Sequence, residues 1–119
     1  MTLQVAPGGD ELTVLLEFDV EPEEQAPLRQ ALTGIIRNVL VRQPGLVSAQ
    51  VLVSRDGRKA LTSLGWVSLD AFETFRDDEE EQRRIRAVLG SYGPRLRVCD
   101  IVLTVVGGEP SRVAPAPIP

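Results

Sequence analysis

Histidine is missing from all 119 residues. Its absence excludes a Ser-His-Asp or Cys-His nucleophilic site, an imidazole general base, and any haem, zinc or iron centre that needs imidazole. Cysteine is reduced to Cys99, so neither an internal disulfide nor a thiolate cluster can form, and nothing calls for an oxidising compartment. Positive charge is scarce as well. Thirteen Lys and Arg against 17 Asp and Glu leave a net charge of -4, and Lys59 is the only lysine. Nucleic-acid domains need a basic face that releases counterions, so nucleic acid is not an expected partner. No apolar run approaches the roughly 18 residues of a membrane span, and the N-terminus has neither the positive start nor the apolar core of a secretory leader. The expected compartment is the cytoplasm, with no membrane partner. With no Gly-rich nucleotide fingerprint either, no cofactor and no metal are expected.

What is present is enough for one folded unit. Apolar residues make up 43% and charged residues 25%, close to the averages of globular proteins, although aromatics reach only 4%. Residues 1–10 carry Pro7, Gly8 and Gly9 and read as a loose arm, residues 11–106 as the domain, and residues 107–119 as a Pro-rich tail. Residues 12–20 alternate as a strand does. From 23 to 43 the period becomes helical, with Leu28, Leu32, Ile35 and Val39 in one stripe, and Pro44-Gly45 stops it. Residues 46–55 and 58–67 form two strands around Asp56-Gly57, a two-residue hairpin signal. Pairing Arg55 with Arg58 sets Val53 opposite Ala60, Val51 opposite Thr62, Ala49 opposite Leu64 and Val47 opposite Trp66. Ser68 then suits the cap of a helix carrying Leu69, Phe72 and Phe75. A second helical stretch runs from 79 to 89, and a last strand from 96 to 106.

The order strand, helix, strand, strand, helix, strand predicts an α+β fold of the ferredoxin-like βαββαβ type, with a four-stranded antiparallel sheet and both crossover helices on one face. The last strand carries Ile101, Leu103 and Val105 on one side and Val98, Val102 and Val106 on the other. A sheet apolar on both faces needs a second cover, so the expectation is a homodimer packed through the open sheet face. If Ile101 and its alternates face the helices, Asp100 faces the mate.

Four features carry a family resemblance: Pro44-Gly45 before the second strand, the hairpin, Trp66 near the end of the third strand, and the helix start Leu69-Asp70-Ala71-Phe72. Over roughly residues 12–106 the chain resembles the antibiotic-biosynthesis monooxygenases, a family of dimeric α+β barrels. The resemblance implies a small-molecule enzyme of secondary metabolism. The family includes cofactor-free oxygenases of aromatic polyketides, quinol oxygenases and haem-degrading enzymes. Anthrone oxygenases of the family usually carry Asn four residues before the strand Trp, where this chain has Thr62. Some relatives carry another Asn on the first strand, where this chain has Leu16. Haem-degrading members use a His, which this chain lacks.

The candidate site lies where small side chains meet a large flat one: Ala49, Ala60 and Thr62 beside Trp66, with Phe72 and Phe75 at the rim, a shape suited to a planar aromatic guest. An indole at a strand end equally suits ordinary core. Arg86 serves either as an inward cation that favours a phenolate or enolate, or as part of a solvated helix face where Arg83 and Arg84 pair with Glu79 and Glu80. Tyr92 either donates into the pocket or caps the loop after the helix. The acids Asp77 to Glu81 point in successive directions and read as a solvated face, and Cys99 reads as buried filler.

In the leading reading Arg86 and Thr62 are the catalytic pair of a cofactor-independent monooxygenase, the one stabilising charge and the other making a polar contact. Trp66, Phe72, Phe75, Leu16, Ala49 and Tyr92 bind a small hydrophobic or aromatic, polyketide-like substrate, and O2 is the co-substrate. A polyketide cyclase using the same cavity without oxygen is the rival enzyme. A non-catalytic ligand-binding or assembly protein is the third reading.

Overall fold

The computed structural model describes residues 10–107. Two expected segments, the arm (1–10) and the tail (107–119), lie outside the described residues except for Asp10 and Gly107. The elements are β1 (Leu12–Asp19), α1 (Pro22–Asn38), a 3-10 turn (Leu40–Arg42), β2 (Leu46–Val53), β3 (Lys59–Trp66), α2 (Leu69–Arg76), α3 (Glu79–Leu89) and β4 (Arg95–Asp100). The four antiparallel strands lie in the order β2-β3-β1-β4, which is the ferredoxin-like arrangement.

Alternation along β1 and β3 turns Leu12, Val14, Leu16 and Phe18, with Ala60, Thr62, Leu64 and Trp66, toward the helices. The α1 stripe of Leu28, Leu32 and Ile35, extended by Val39 at its C-cap, closes over them and is buried throughout. Helices α1 and α2 pack on the sheet, and α3 lies against both. Caps set the helix starts: Ser68 Oγ accepts from the Ala71 N–H at 3.1 Å, and Asp78 Oδ1 accepts from the Glu81 N–H at 3.2 Å.

Four details depart from the sequence reading. Helix α1 ends at Asn38, five residues before position 43, because a tighter turn follows that buries Val39 and Leu40 side by side, and Gln43 Nε2 donates to the freed Val39 carbonyl at 3.0 Å. The hairpin loop has four residues rather than two, closed by the Ser54 N–H to the Lys59 carbonyl, while Asp56 Oδ1 accepts from the Ser54 hydroxyl and the Arg58 N–H. The expected pairs Val53↔Ala60, Val51↔Thr62 and Ala49↔Leu64 all form. A bulge between Leu46 and Ser48 then seats Leu46 opposite Trp66 and turns Val47 out to solvent.

The fourth departure is β4, which ends at Asp100 and not at 106. As an edge strand it pairs only with β1, and β1 begins at Leu12, the partner of Asp100. Past that point no described backbone continues the ladder, and Val102 is 89% exposed. The register also reverses the facing assumed for this strand. Leu96, Val98 and Asp100 pair with Leu16, Val14 and Leu12 on the helix side, so Asp100 is an exposed edge residue there and does not lie on the open sheet face.

The open face is mixed. Leu15, Leu52 and Leu61 sit among Thr13, Ser48, Gln50 and Ser63. At one end Lys59 and Arg95 both pair with Glu17 and Asp19. These bonds hold both carboxyls below their ordinary range and Lys59 above its own.

Candidate functional site

A cavity of about 260 Å³ lies between the helices and the sheet. Val14 and Leu16 of β1 and Thr62 and Leu64 of β3 form its floor. Leu32, Ile35 and Ile36 of α1, Phe72 and Phe75 of α2, and Ile85 and Leu89 of α3 wall it. Its formation follows from the sequence on the floor. Thr62 pairs with Leu16 on one side and Val51 on the other, and so puts a short side chain beneath the point where three helices meet.

Thr62 is 3% exposed, and its Oγ1 has no hydrogen-bond partner among the described residues. An orphaned buried hydroxyl costs about 1–3 kcal/mol. Thr62 is also one of the residues that line this apolar space.

The cations Arg76 and Arg86 line the cavity from the last turn of α2 and from α3. Arg76 Nε is committed to Asp77 at 3.0 Å. The Arg86 side chain is 65% exposed and, among the described residues, pairs loosely with Glu79 at 3.9 Å, which puts its guanidinium at the rim. Arg84, by contrast, pairs with Glu80 at 3.2 Å on the outer face, as the sequence suggests. Tyr92 lines the cavity with its ring, which meets Phe18 edge-on at 6.5 Å. Its hydroxyl donates to Glu24 Oε1 at 2.8 Å, which ties the loop after α3 to the first turn of α1; this hydrogen bond, which needs the phenol proton, raises the Tyr92 pKa, with desolvation adding to it.

Of the residues singled out from sequence, Thr62, Arg86, Leu16, Phe72, Phe75 and Tyr92 meet at this cavity. Trp66 and Ala49 do not line it. Trp66 is fully buried behind Phe75, with its ring stacked on Phe75 at 5.3 Å and 28° and tilted against Phe72 at 6.0 Å. Ala49 packs in the same core cluster. The sequence points the indole at the ligand because it shares a strand face with Thr62. Two pairs of residues along β3 are enough to carry it out of the cavity and under α2. Sequence reasoning missed Arg76, Gln82, Ile85 and Leu89. The α3 members were legible, since Gln82, Ile85, Arg86 and Leu89 follow the i, i+3, i+4, i+7 spacing of one helix face.

The described helices include none long and apolar enough to cross a membrane, and the described side chains form no cluster of three or more His, Cys, Asp or Glu able to hold a metal ion.

Comparison with known proteins agrees with this architecture. A tetracenomycin-F1 monooxygenase from Streptomyces glaucescens is 28% identical over 97 residues, covering 82% of this chain and 87% of that protein. The crystal structure of SnoaB, a cofactor-independent oxygenase from Streptomyces nogalater, superposes with a TM-score of 0.58 at 21% identity, over 86% of this chain and 99% of that one. A Caulobacter crescentus protein described as a putative antibiotic biosynthesis monooxygenase superposes with a TM-score of 0.64 at 16% identity, over 78% and 91% of the two chains. At such identities the two structural likenesses are likenesses of fold. The sequence profile of the antibiotic biosynthesis monooxygenase family matches residues 12–87, more than half of the chain. The chain belongs to the antibiotic biosynthesis monooxygenase family.

Proposed function

We propose that this protein is a tailoring enzyme that oxidises an aromatic or polyketide-like intermediate with O2 and without a redox cofactor. The observation that carries the reading is the cavity itself, an apolar space of about 260 Å³ whose floor holds one buried hydroxyl without a partner. Family membership supports the reaction class, as do relatives named as a tetracenomycin-F1 monooxygenase and a cofactor-independent oxygenase.

The chemistry needs little from the protein. A ring methylene next to a carbonyl loses a proton to water at the rim, and the Arg86 cation lowers the cost of the resulting enolate. The anion passes one electron to O2, the two radicals combine at carbon, and the peroxide loses water. The net change is CH2 plus O2 to C=O plus H2O, a four-electron oxidation balanced by full reduction of O2. Thr62 holds the ring oxygen, and the apolar walls exclude bulk water. A second copy of the chain on the open sheet face, where Leu52 is exposed and Leu15 and Leu61 half-buried, completes the proposed assembly as a homodimer.

The test is turnover of 1,8-dihydroxy-9-anthrone with parallel oxygen-electrode and absorbance readings. The expected result is one O2 consumed per quinone formed, with Thr62→Val and Arg86→Gln each lowering kcat/KM by roughly tenfold, the worth of one charge-assisted contact. Turnover equal in wild type and both variants overturns the site assignment. Binding of the anthrone without oxygen uptake or quinone formation overturns the oxygenase reading in favour of a cyclase or a carrier.

A further inference from the structure

Gln82 is a polar cavity residue whose amide orientation is fixed by a bond at one end. It lines the cavity from the α3 stripe, and its Nε2 donates to the Phe75 main-chain oxygen at 2.9 Å. A carbonyl oxygen can only accept, so the NH2 end of the amide must face Phe75, and Oε1 is the end left for a ligand. Phe75 is itself held, with its ring stacked on the buried Trp66, so the anchor of this amide is rigid. Thr62 is different in kind, because a hydroxyl donates or accepts as the ligand requires. An amide oxygen accepts only.

We infer that Gln82 is a specificity residue of this cavity, whose Oε1 accepts a hydrogen bond from a hydroxyl on the bound ring, so that the protein selects phenols over the corresponding ethers. The inference rests on the proposal that the cavity takes an aromatic substrate. Thr62 tolerates a carbonyl or a hydroxyl. Gln82 rejects a ligand whose facing oxygen carries no hydrogen, because that leaves an acceptor unpaired and a methyl group pressed against it.

Calorimetric titration with 1-naphthol and 1-methoxynaphthalene tests this directly. Wild-type protein is expected to bind 1-naphthol about three- to tenfold more tightly, the range of one neutral hydrogen bond. Gln82→Met removes the acceptor. Gln82→Lys keeps a donor for the Phe75 carbonyl and also lacks an acceptor. Both are expected to bind the phenol more weakly and the ether at least as tightly as the wild type does, and so to lose the preference for the phenol. Equal affinities in the wild type overturn the inference whatever the variants do, and so does a preference that survives in both variants. Failure of both probes to bind removes it together with the aromatic-pocket reading. Phenol selectivity that depends on Gln82, in a protein that consumes no O2 with the anthrone, upholds this inference while the oxygenase reading falls.

Discussion

Trp66 and Phe75 stack at 5.3 Å with 28° between their planes, and only Phe75 of the two reaches the cavity. The indole supports the wall from behind. Its Nε1, like the Thr62 hydroxyl, is buried without a partner among the described residues.

Replacing Trp66 should therefore act first on the fold. Trp66→Ala is expected to cost about 3–5 kcal/mol of unfolding free energy, the loss that follows a large buried cavity, and to weaken ligand binding because Phe75 loses its support. Trp66→Phe keeps a stacking ring and removes the orphaned N–H, so it should cost less and retain aromatic-probe binding. Denaturant titration beside ligand titration checks both. A Trp66→Phe protein with wild-type stability and no binding would place the indole at the ligand after all.

Thr62→Val should separate stability from activity. The two side chains have nearly the same shape, and the hydroxyl it removes is buried without a bond, so the ligand-free protein is expected to gain about 1 kcal/mol while turnover falls. Urea unfolding of the two proteins measures the first half. A loss of stability of similar size would mean that the hydroxyl is already satisfied in the free protein.

Gly45 gives the Pro-Gly pair its physical meaning. Its φ is +87°, and a Cβ added there would fall 2.5 Å from Ala71 Cβ, where α2 crosses the start of β2. Gly45→Ala combines left-handed backbone strain with overpacking and should cost about 2–4 kcal/mol, which for a domain of this size lowers Tm by roughly 10 °C or more. Thermal unfolding decides it, and a shift under 3 °C, outside that rough range, would show that α2 can retreat.

The ion pairs on the open face predict a pH profile. Glu17 and Asp19 titrate below their ordinary values of 4.5 and 3.8 in the folded protein, because Lys59 and Arg95 hydrogen-bond the charged carboxylates. Their contribution is complete above those ordinary values and is lost as pH falls through the lower folded ones. Lys59 titrates above 10.5, so its contribution is complete below that value and is lost as pH rises through the higher one. Melting scans should show a level region between these limits, with an acid limb that becomes shallower in Glu17→Gln and in high salt. An unchanged acid limb in that variant would assign the loss to other carboxyls.

Much of the architecture is legible in the sequence because it is set locally. Alternation defined β1 and β3, the 3.6-residue stripe defined α1, and Ser68 and Gly90 bracket helices whose bounds follow the chain's own capping chemistry. Cross-strand register could be counted from the hairpin as far as Ala49, because side-chain period and turn geometry determine it together. Absences were equally informative, since a chain without histidine cannot build imidazole chemistry in any fold. The length of β4, the facing of Asp100 and the bulge at Val47 were settled only in three dimensions. A strand ends where its neighbour's backbone ends, and nothing within residues 95–106 says that β1 stops at Leu12. The cavity is of the same kind. Thr62 shares a strand face with Trp66, yet the tertiary packing of α2 and α3 leaves space above the first and closes over the second, and it alone brings Gln82 and Arg86 to the same opening.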